Sequence, residues 1–222
     1  MTSRVPLFVL LSVALVTTEV AAQSVSPPIR RLEVSVGAGF LTGADLGQQP
    51  ANERAASGSP YRLFDTETDL SSSLFFGLRL GFALTPRLSI EGAASLGQPE
   101  LRTSISGDAE GAESLIAVEQ MDQYTFDGGI VYRFGGLRGL VPFVSAGAGY
   151  QRQRHEGETL IEGGGLFYAG GGVTHWLSVR KQGTVKAIGL RGDARLYFLS
   201  GGITPDDMRT QAAFAGSFVM VF

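Results

Sequence analysis

The chain's last nine residues, Phe214 to Phe222, read Phe-Ala-Gly-Ser-Phe-Val-Met-Val-Phe. Phe214, Gly216, Phe218, Met220 and Phe222 fall on one face; Ala213, Ala215, Ser217, Val219 and Val221 fall on the other. A period of two is the signature of a strand, because successive side chains point to opposite sides. Standing free in water, so apolar a strand would template aggregation. In a closed barrel it has partners on both sides, and its oily face can meet lipid. The aromatic end residue then belongs at a membrane–water boundary.

The same alternation recurs upstream. Leu32, Val34, Val36, Ala38 and Phe40 oppose Glu33, Ser35, Gly37 and Gly39. In Ser73 to Leu84, the face of Leu74, Phe76, Leu78, Leu80, Phe82 and Leu84 opposes Ser73, Phe75, Gly77, Arg79, Gly81 and Ala83. A helix with this spacing would spread its apolar groups all round and bury Arg79 among them. Leu88 to Leu96, Tyr124 to Phe134 and Ile188 to Phe198 alternate too. Val141 to Gln153 and Leu166 to Leu177 read as strands, the former with less distinct faces.

Short turns are expected near 85, 137 and 182, and longer polar connections near 55, 108, 160 and 204. Residues 42–71 show no sustained period and read as a long loop, and Ser200 to Arg209 as another. Within 97–120, the segments 101–105 and 115–118 can continue a hairpin beyond a membrane. The expectation is an all-β chain: a closed antiparallel up-and-down transmembrane β-barrel of about eight strands, or ten if 97–120 adds a hairpin. Short turns alternating with long loops suit periplasmic turns and extracellular loops, with both chain ends periplasmic.

Residues 1–22 read as a signal peptide. Arg4 opens it, Val5 to Val16 is its apolar run, and Val20-Ala21-Ala22 precedes a cut at Gln23. The run is too short for the ~20 residues of a spanning helix, and no later segment is long and apolar enough. Residues 23–222 form one barrel domain. The 222 residues contain no cysteine, which excludes disulfides and thiol chemistry and suits an oxidising compartment. A formal charge of -3 gives no field for nucleic acid.

Charges within the strands sit on the face opposite the oil: Arg79, Glu91, Asp127, Arg133, Arg191, Asp193 and Arg195. Facing lipid, each Arg at mid-bilayer would cost ~2–4 kcal/mol. Facing inward they can pair, and an eight-stranded barrel is just wide enough for side chains to fill. The expectation is a packed ion-paired lumen. A narrow polar conduit is the alternative.

Chemistry-bearing motifs are sparse. His155 and His175 are the only histidines, with no His-Glu-x-x-His or Cys cluster, so no metal or cofactor is expected. His155 is expected to be solvated at a loop base. His175, beside Trp176, is expected in an interfacial belt at the periplasmic end, away from where a Ser–His pair with Ser178 could act on lipid. Gly163-Gly164-Gly165 and Gly170-Gly171-Gly172 lack the Lys-Ser/Thr of a phosphate loop.

Taken together, the chain resembles the small bacterial outer-membrane β-barrel proteins, the OmpA/OmpX-like, opacity-type porin family. The resemblance rests on the leader ending Val20-Ala21-Ala22, on Gly77-Leu78-Arg79-Leu80-Gly81-Phe82, on Val141-Pro142-Phe143-Val144-Ser145-Ala146-Gly147-Ala148-Gly149, and on Phe218-Val219-Met220-Val221-Phe222. It implies outer-membrane lipid as a partner, and an assembly signal (Phe218, Met220, Phe222) read by the insertion machinery. No peptidoglycan-binding domain follows, so a cell-wall tether is not expected. The implied role is a non-enzymatic cell-envelope protein, localised to the outer membrane after export, that can meet an extracellular ligand through 42–71 and 97–120. The alternatives are a small-solute pore and a secreted lipocalin-like carrier with its Leu and Phe faces turned inward.

Overall fold

The computed structural model describes residues 32–54, 60–107, 115–136, 139–155, 161–180, 182–201 and 204–222. The expected leader and the lead-in 24–31 lie outside the described residues. There are eleven antiparallel strands in chain order: β1 (Leu32–Leu41), β2 (Ala44–Arg54), β3 (Pro60–Leu70), β4 (Ser73–Ala83), β5 (Leu88–Gly97), β6 (Glu100–Ser106), β7 (Leu115–Arg133), β8 (Leu140–His155), β9 (Ile161–Val179), β10 (Ala187–Gly201) and β11 (Thr204–Val221).

Eight of them close a barrel in the order β1-β4-β5-β7-β8-β9-β10-β11, and β11 returns to pair with β1. The closing seam runs from Glu33 opposite Val221 to Leu41 opposite Ala213. Residues 213–221 of the terminal strand therefore have β1 on one side and β10 on the other, and no edge remains along them. Phe222 extends the seam, its N–H donating to the Leu32 carbonyl at 2.9 Å.

The remaining three strands stand beyond one end. β2 pairs with β3, β3 with β6, and β6 with residues 115–120 at the start of β7. Only Met121 onward joins β8 in the barrel wall. Residues 42–71, expected as a loop, are thus mostly a hairpin. The signal was hidden because both faces are polar, and because the ladder is broken by register shifts after Asp45 and after Ala51. The hairpin expected within 97–120 is present, yet it extends the wall upward instead of widening the barrel to ten strands. Two other expected loops are also shorter than read: β10 runs to Gly201 with β11 starting at Thr204, and β9 starts at Ile161.

Inside-or-outside alternation holds along every barrel strand. In β8, Val141, Phe143 and Ser145 are buried while Pro142, Val144 and Ala146 are exposed. Its faces look alike in sequence because the inward one carries Gly147, Gly149, Gln151 and Gln153 while the outward one carries Ala146, Ala148, Arg152 and Arg154. Gly147 lies opposite Tyr168 of β9. A Cβ at Gly147 would strike the Gly128 carbonyl and come within 2.7 Å of the Tyr168 ring. Gly189 similarly makes room for Trp176, whose ring would lie 2.9 Å from an added Cβ. Glycine at these positions lets two large aromatics fold into a narrow lumen.

Gly147→Val should therefore destabilise the barrel by at least about 1–3 kcal/mol through overpacking. Urea unfolding in detergent micelles, followed by the shift between folded and boiled bands on a gel, measures it. An unchanged midpoint would mean that the Tyr168 ring is not seated against β8.

Candidate functional site

The residues that sequence reasoning assigned to the lumen converge at its centre, and the topology explains how. β10 carries Arg191, Asp193 and Arg195 at every second position, so all three point inward. Their partners lie across the barrel. Arg79 of β4 grips Asp193 with two hydrogen bonds, 2.7 and 3.0 Å. Arg191 grips Glu91 of β5 at 2.5 and 3.2 Å. Arg195 reaches Asp127 of β7 at 3.2 Å and Asp193 at 3.3 Å. Around the ring β10 and β5 are four strands apart, the greatest separation eight strands allow. The Arg191–Glu91 pair is a strut across the full diameter.

Arg133 of β7 completes the set one layer nearer the short turns. It donates to Ser89 Oγ at 2.9 Å and pairs with Glu33 of β1 at 2.8 Å. Glu33 also lies 3.8 Å from Arg191. Glu33 was the carboxylate missing from the sequence reading, although its alternation with Ser35 already placed it on the inner face. With it, four arginines face four carboxylates. Such balance matters because an uncompensated charge in this interior carries the full cost of its desolvation.

Aromatic rings finish the packing. The Arg191 guanidinium lies 4.2 Å from the centroid of Phe143, and that of Arg195 lies 4.6 Å from the centroid of Tyr168. These are cation–π distances. Below the charges, at the short-turn end, Val141, Trp176, Ala187, Val219 and Val221 form an apolar stopper. Trp176 is 8% exposed and turned inward, so it is no belt residue. Its neighbour His175 faces outward and is exposed. Above the charges, Leu166, Tyr168, Leu199 and Tyr197 pack together, and Gln153 donates to Gln123 at 3.1 Å. Two internal cavities of about 20 Å³ each flank this layer. A volume of that size holds about one water molecule. Among the described residues the lumen is filled from stopper to mouth.

The outer surface is the inverse. Leu74 and Phe76 are 70% and 71% exposed, and Leu78, Leu80, Phe126, Ile130, Phe167, Leu190 and Phe214 are also exposed. The ladder from Leu74 to Leu84 spans roughly 26 Å along the barrel axis for a strand tilted about 40°. Tyr132 and Phe134 meet edge to face, ring centroids 5.3 Å apart, at the short-turn end of this belt.

At the other end Asp122 accepts from Gln98 at 3.0 Å and from Arg154 at 2.8 Å. Those two hydrogen bonds, Gln98 first, hold its carboxyl below the usual carboxylate range. His155, expected to be solvated, is instead only 8% exposed; it points inward from the end of β8 at Glu119 and Glu162. The glycine runs 163–165 and 170–172 lie within β9. Nothing about them forms a phosphate cradle.

No protein-family model and no curated protein matches the chain by sequence. Solved structures do match by shape. Neisserial surface protein A matches over 86% of this chain and 97% of its own, with 10% identity and a TM-score of 0.55. The outer membrane protein OprG from Pseudomonas aeruginosa matches over 87% and 97%, with 12% identity and a TM-score of 0.48. Ail, the attachment invasion locus protein of Yersinia pestis, matches over 86% and 99%, with 12% identity and a TM-score of 0.43. The first of these likenesses establishes the fold, that of a small outer-membrane β-barrel protein.

Truncating either end of the central strut should be far worse than replacing both ends. Arg191→Ala or Glu91→Ala leaves a buried charge without its hydrogen-bonded partner and should cost about 3–5 kcal/mol, whereas the double variant Glu91→Gln/Arg191→Met should lose much less. Urea titration in micelles gives all three values. Additive losses would show that the two residues do not act as a pair.

Proposed function

We propose that this chain is a non-enzymatic integral outer-membrane protein: a closed barrel that holds a small β-sheet beyond the membrane as a surface for extracellular contacts. The inside-out distribution of polarity carries the reading. A belt of exposed Leu and Phe about as tall as the apolar core of an outer membrane encircles four arginines and four carboxylates paired at the centre. Water would penalise such an exterior, and only lipid suits it. The signal-peptide reading of residues 1–22 supplies export, and Phe218 and Met220 on the outer face of β11, with Phe222 just beyond it, supply the assembly signal for the insertion machinery.

The same polarity opposes a lipocalin-like carrier, which needs Leu78, Leu80 and Phe82 enclosed; all three are exposed. The filled lumen opposes a solute pore. A catalytic reading finds no support either: the lumen's carboxylates are engaged by arginines, and His175 lies on the outer face at the short-turn end.

The protruding sheet is the natural contact surface. Among the described residues, β2, β3 and β6 carry Asp45, Asp65, Glu67, Asp69 and Glu100 against Arg62 and Arg102. Asp65, Glu67 and Asp69 share one face of β3, opposite Ser106, Ser104 and Arg102 of β6. A surface of this sign favours a basic extracellular partner.

Leu78 discriminates between lipid and water outside the barrel. Leu78→Arg should cost about 2–4 kcal/mol in liposomes, the penalty for a cation on the lipid face. The wild-type protein should stay in the membrane fraction after a high-salt wash and should give no stable conductance steps in planar bilayers. A neutral effect of Leu78→Arg together with detergent-free solubility would overturn the assignment. Large steady channels would overturn the plug.

A further inference from the structure

At the mouth of the barrel, His155 is a polar group that the plug does not use. His155 ends β8 and points inward, between Glu119 of β7 and Glu162 of β9. Its side chain is 9% exposed. Nδ1 lies 3.1 Å from Glu119 Oε1. An ionised carboxylate only accepts, so Nδ1 is the nitrogen that carries the proton. In the neutral imidazole Nε2 then carries the lone pair. It is buried without a hydrogen-bond partner and lies 3.8 Å from Glu162 Oε2, which is also buried without one.

Two buried acceptors facing each other is an arrangement that proteins avoid unless a proton or a metal cation joins them. The spacing is too long for a hydrogen bond. It does suit two ligands of a single ion: at about 2.0–2.2 Å from the metal to each donor, a separation of about 3.3–4.2 Å covers tetrahedral to wide ligand angles. Glu119 plays the part of the outer carboxylate that fixes the tautomer and orientation of a metal-bound histidine. Arg209 of β11 interacts electrostatically with Glu162 but donates its Nη2 hydrogen bond to the Gly201 carbonyl at 3.2 Å. Two carboxyl groups stand against this one guanidinium in the cluster.

We propose that His155 Nε2 and the Glu162 carboxylate bind a borderline divalent transition ion such as Zn²⁺ at the barrel mouth, with Glu119 as the positioning residue. Among the described residues no group of three or more His, Cys, Asp or Glu is arranged to hold a metal ion, so the protein would supply two ligands and water the rest. An imidazole ligand selects against Ca²⁺ and Mg²⁺, which take oxygen. The bound ion would tie the outer ends of β8 and β9 together and, through Glu119, anchor the wall that rises into the protruding sheet.

The test uses the untagged full barrel in detergent at neutral pH, titrated calorimetrically with Zn²⁺ alone. One ion per chain is expected. His155→Ala and Glu162→Gln should each abolish or weaken binding by at least roughly ten-fold, and Glu119→Gln by about 10–100-fold with the stoichiometry kept. His175→Ala should leave binding unchanged. Co²⁺ should give a visible absorption band that His155→Ala removes. The boiled and unboiled gel bands establish that each variant is folded, and should His155→Ala fail to fold, Glu162→Gln carries the test. Absence of Zn²⁺ binding by the wild type, undiminished binding by folded His155→Ala or Glu162→Gln, or equal competition by Ca²⁺ would each overturn the site.

Discussion

Everything in this barrel depends on the requirement that the centre of an eight-stranded lumen be filled by its own side chains with their charges paired. Eight strands enclose a space about as wide as two long side chains meeting tip to tip. Arg191 and Glu91 make that meeting, from opposite walls. Neither residue alone could sit there, because an isolated guanidinium or carboxylate in so dry a place would be driven out. Pairing converts the most costly feature of the sequence into the element that fixes which strands face one another. Arg79 with Asp193, and Arg195 with Asp127, tie β10 to β4 and β7 in the same way. The network therefore acts on register as well as on stability, since a one-residue slip of β10 would turn all three of its charges toward lipid.

That constraint explains the rest of the interior. With charges holding the middle, the short-turn end can close on plain apolar packing, and Trp176 folds in over Gly189 to do it. The mouth is handled by neutral amides: Gln123 and Gln153 satisfy each other, and Gln211 donates to the Thr42 carbonyl at 3.2 Å. The layers pass from ion pairs at the centre to amides above them, and the sheet beyond is acid-rich.

Much of the barrel was legible in the sequence because lipid enforces alternation. A strand with oil on one side and charge on the other, such as Ser73 to Leu84, admits one orientation. The inward set Arg79, Glu91, Asp127, Arg133, Arg191, Asp193 and Arg195 followed from the same parity. Who pairs with whom did not, because partners across a lumen are up to 114 residues apart. Glu33 was overlooked because a single acid near the start of a strand looks like an end residue. His155 was misjudged because its neighbours in sequence are polar, whereas its neighbours in space, Met121 and the wall of β7, are set by register. The hairpin of β2 and β3 was unreadable for a deeper reason: with water on both sides, nothing requires a period of two.

The same physics decides why the extra strands stay out of the wall. β6 has 7 residues, short of the ~9–11 a membrane strand needs. β3 is long enough, but a ten-stranded barrel would have to turn Asp65, Glu67 and Asp69 inward, and the four lumen arginines are already matched by four acids. Three more carboxylates would lack partners inside a wider, wetter space. Turned outward, they would meet lipid. Left above the rim in solvent, they cost little, and β6 can pair with the unspent first turn of β7's ladder at 115–120. Charge balance at the centre of the barrel thus sets the strand number, and the acids that the lumen cannot accommodate become the character of the exposed sheet.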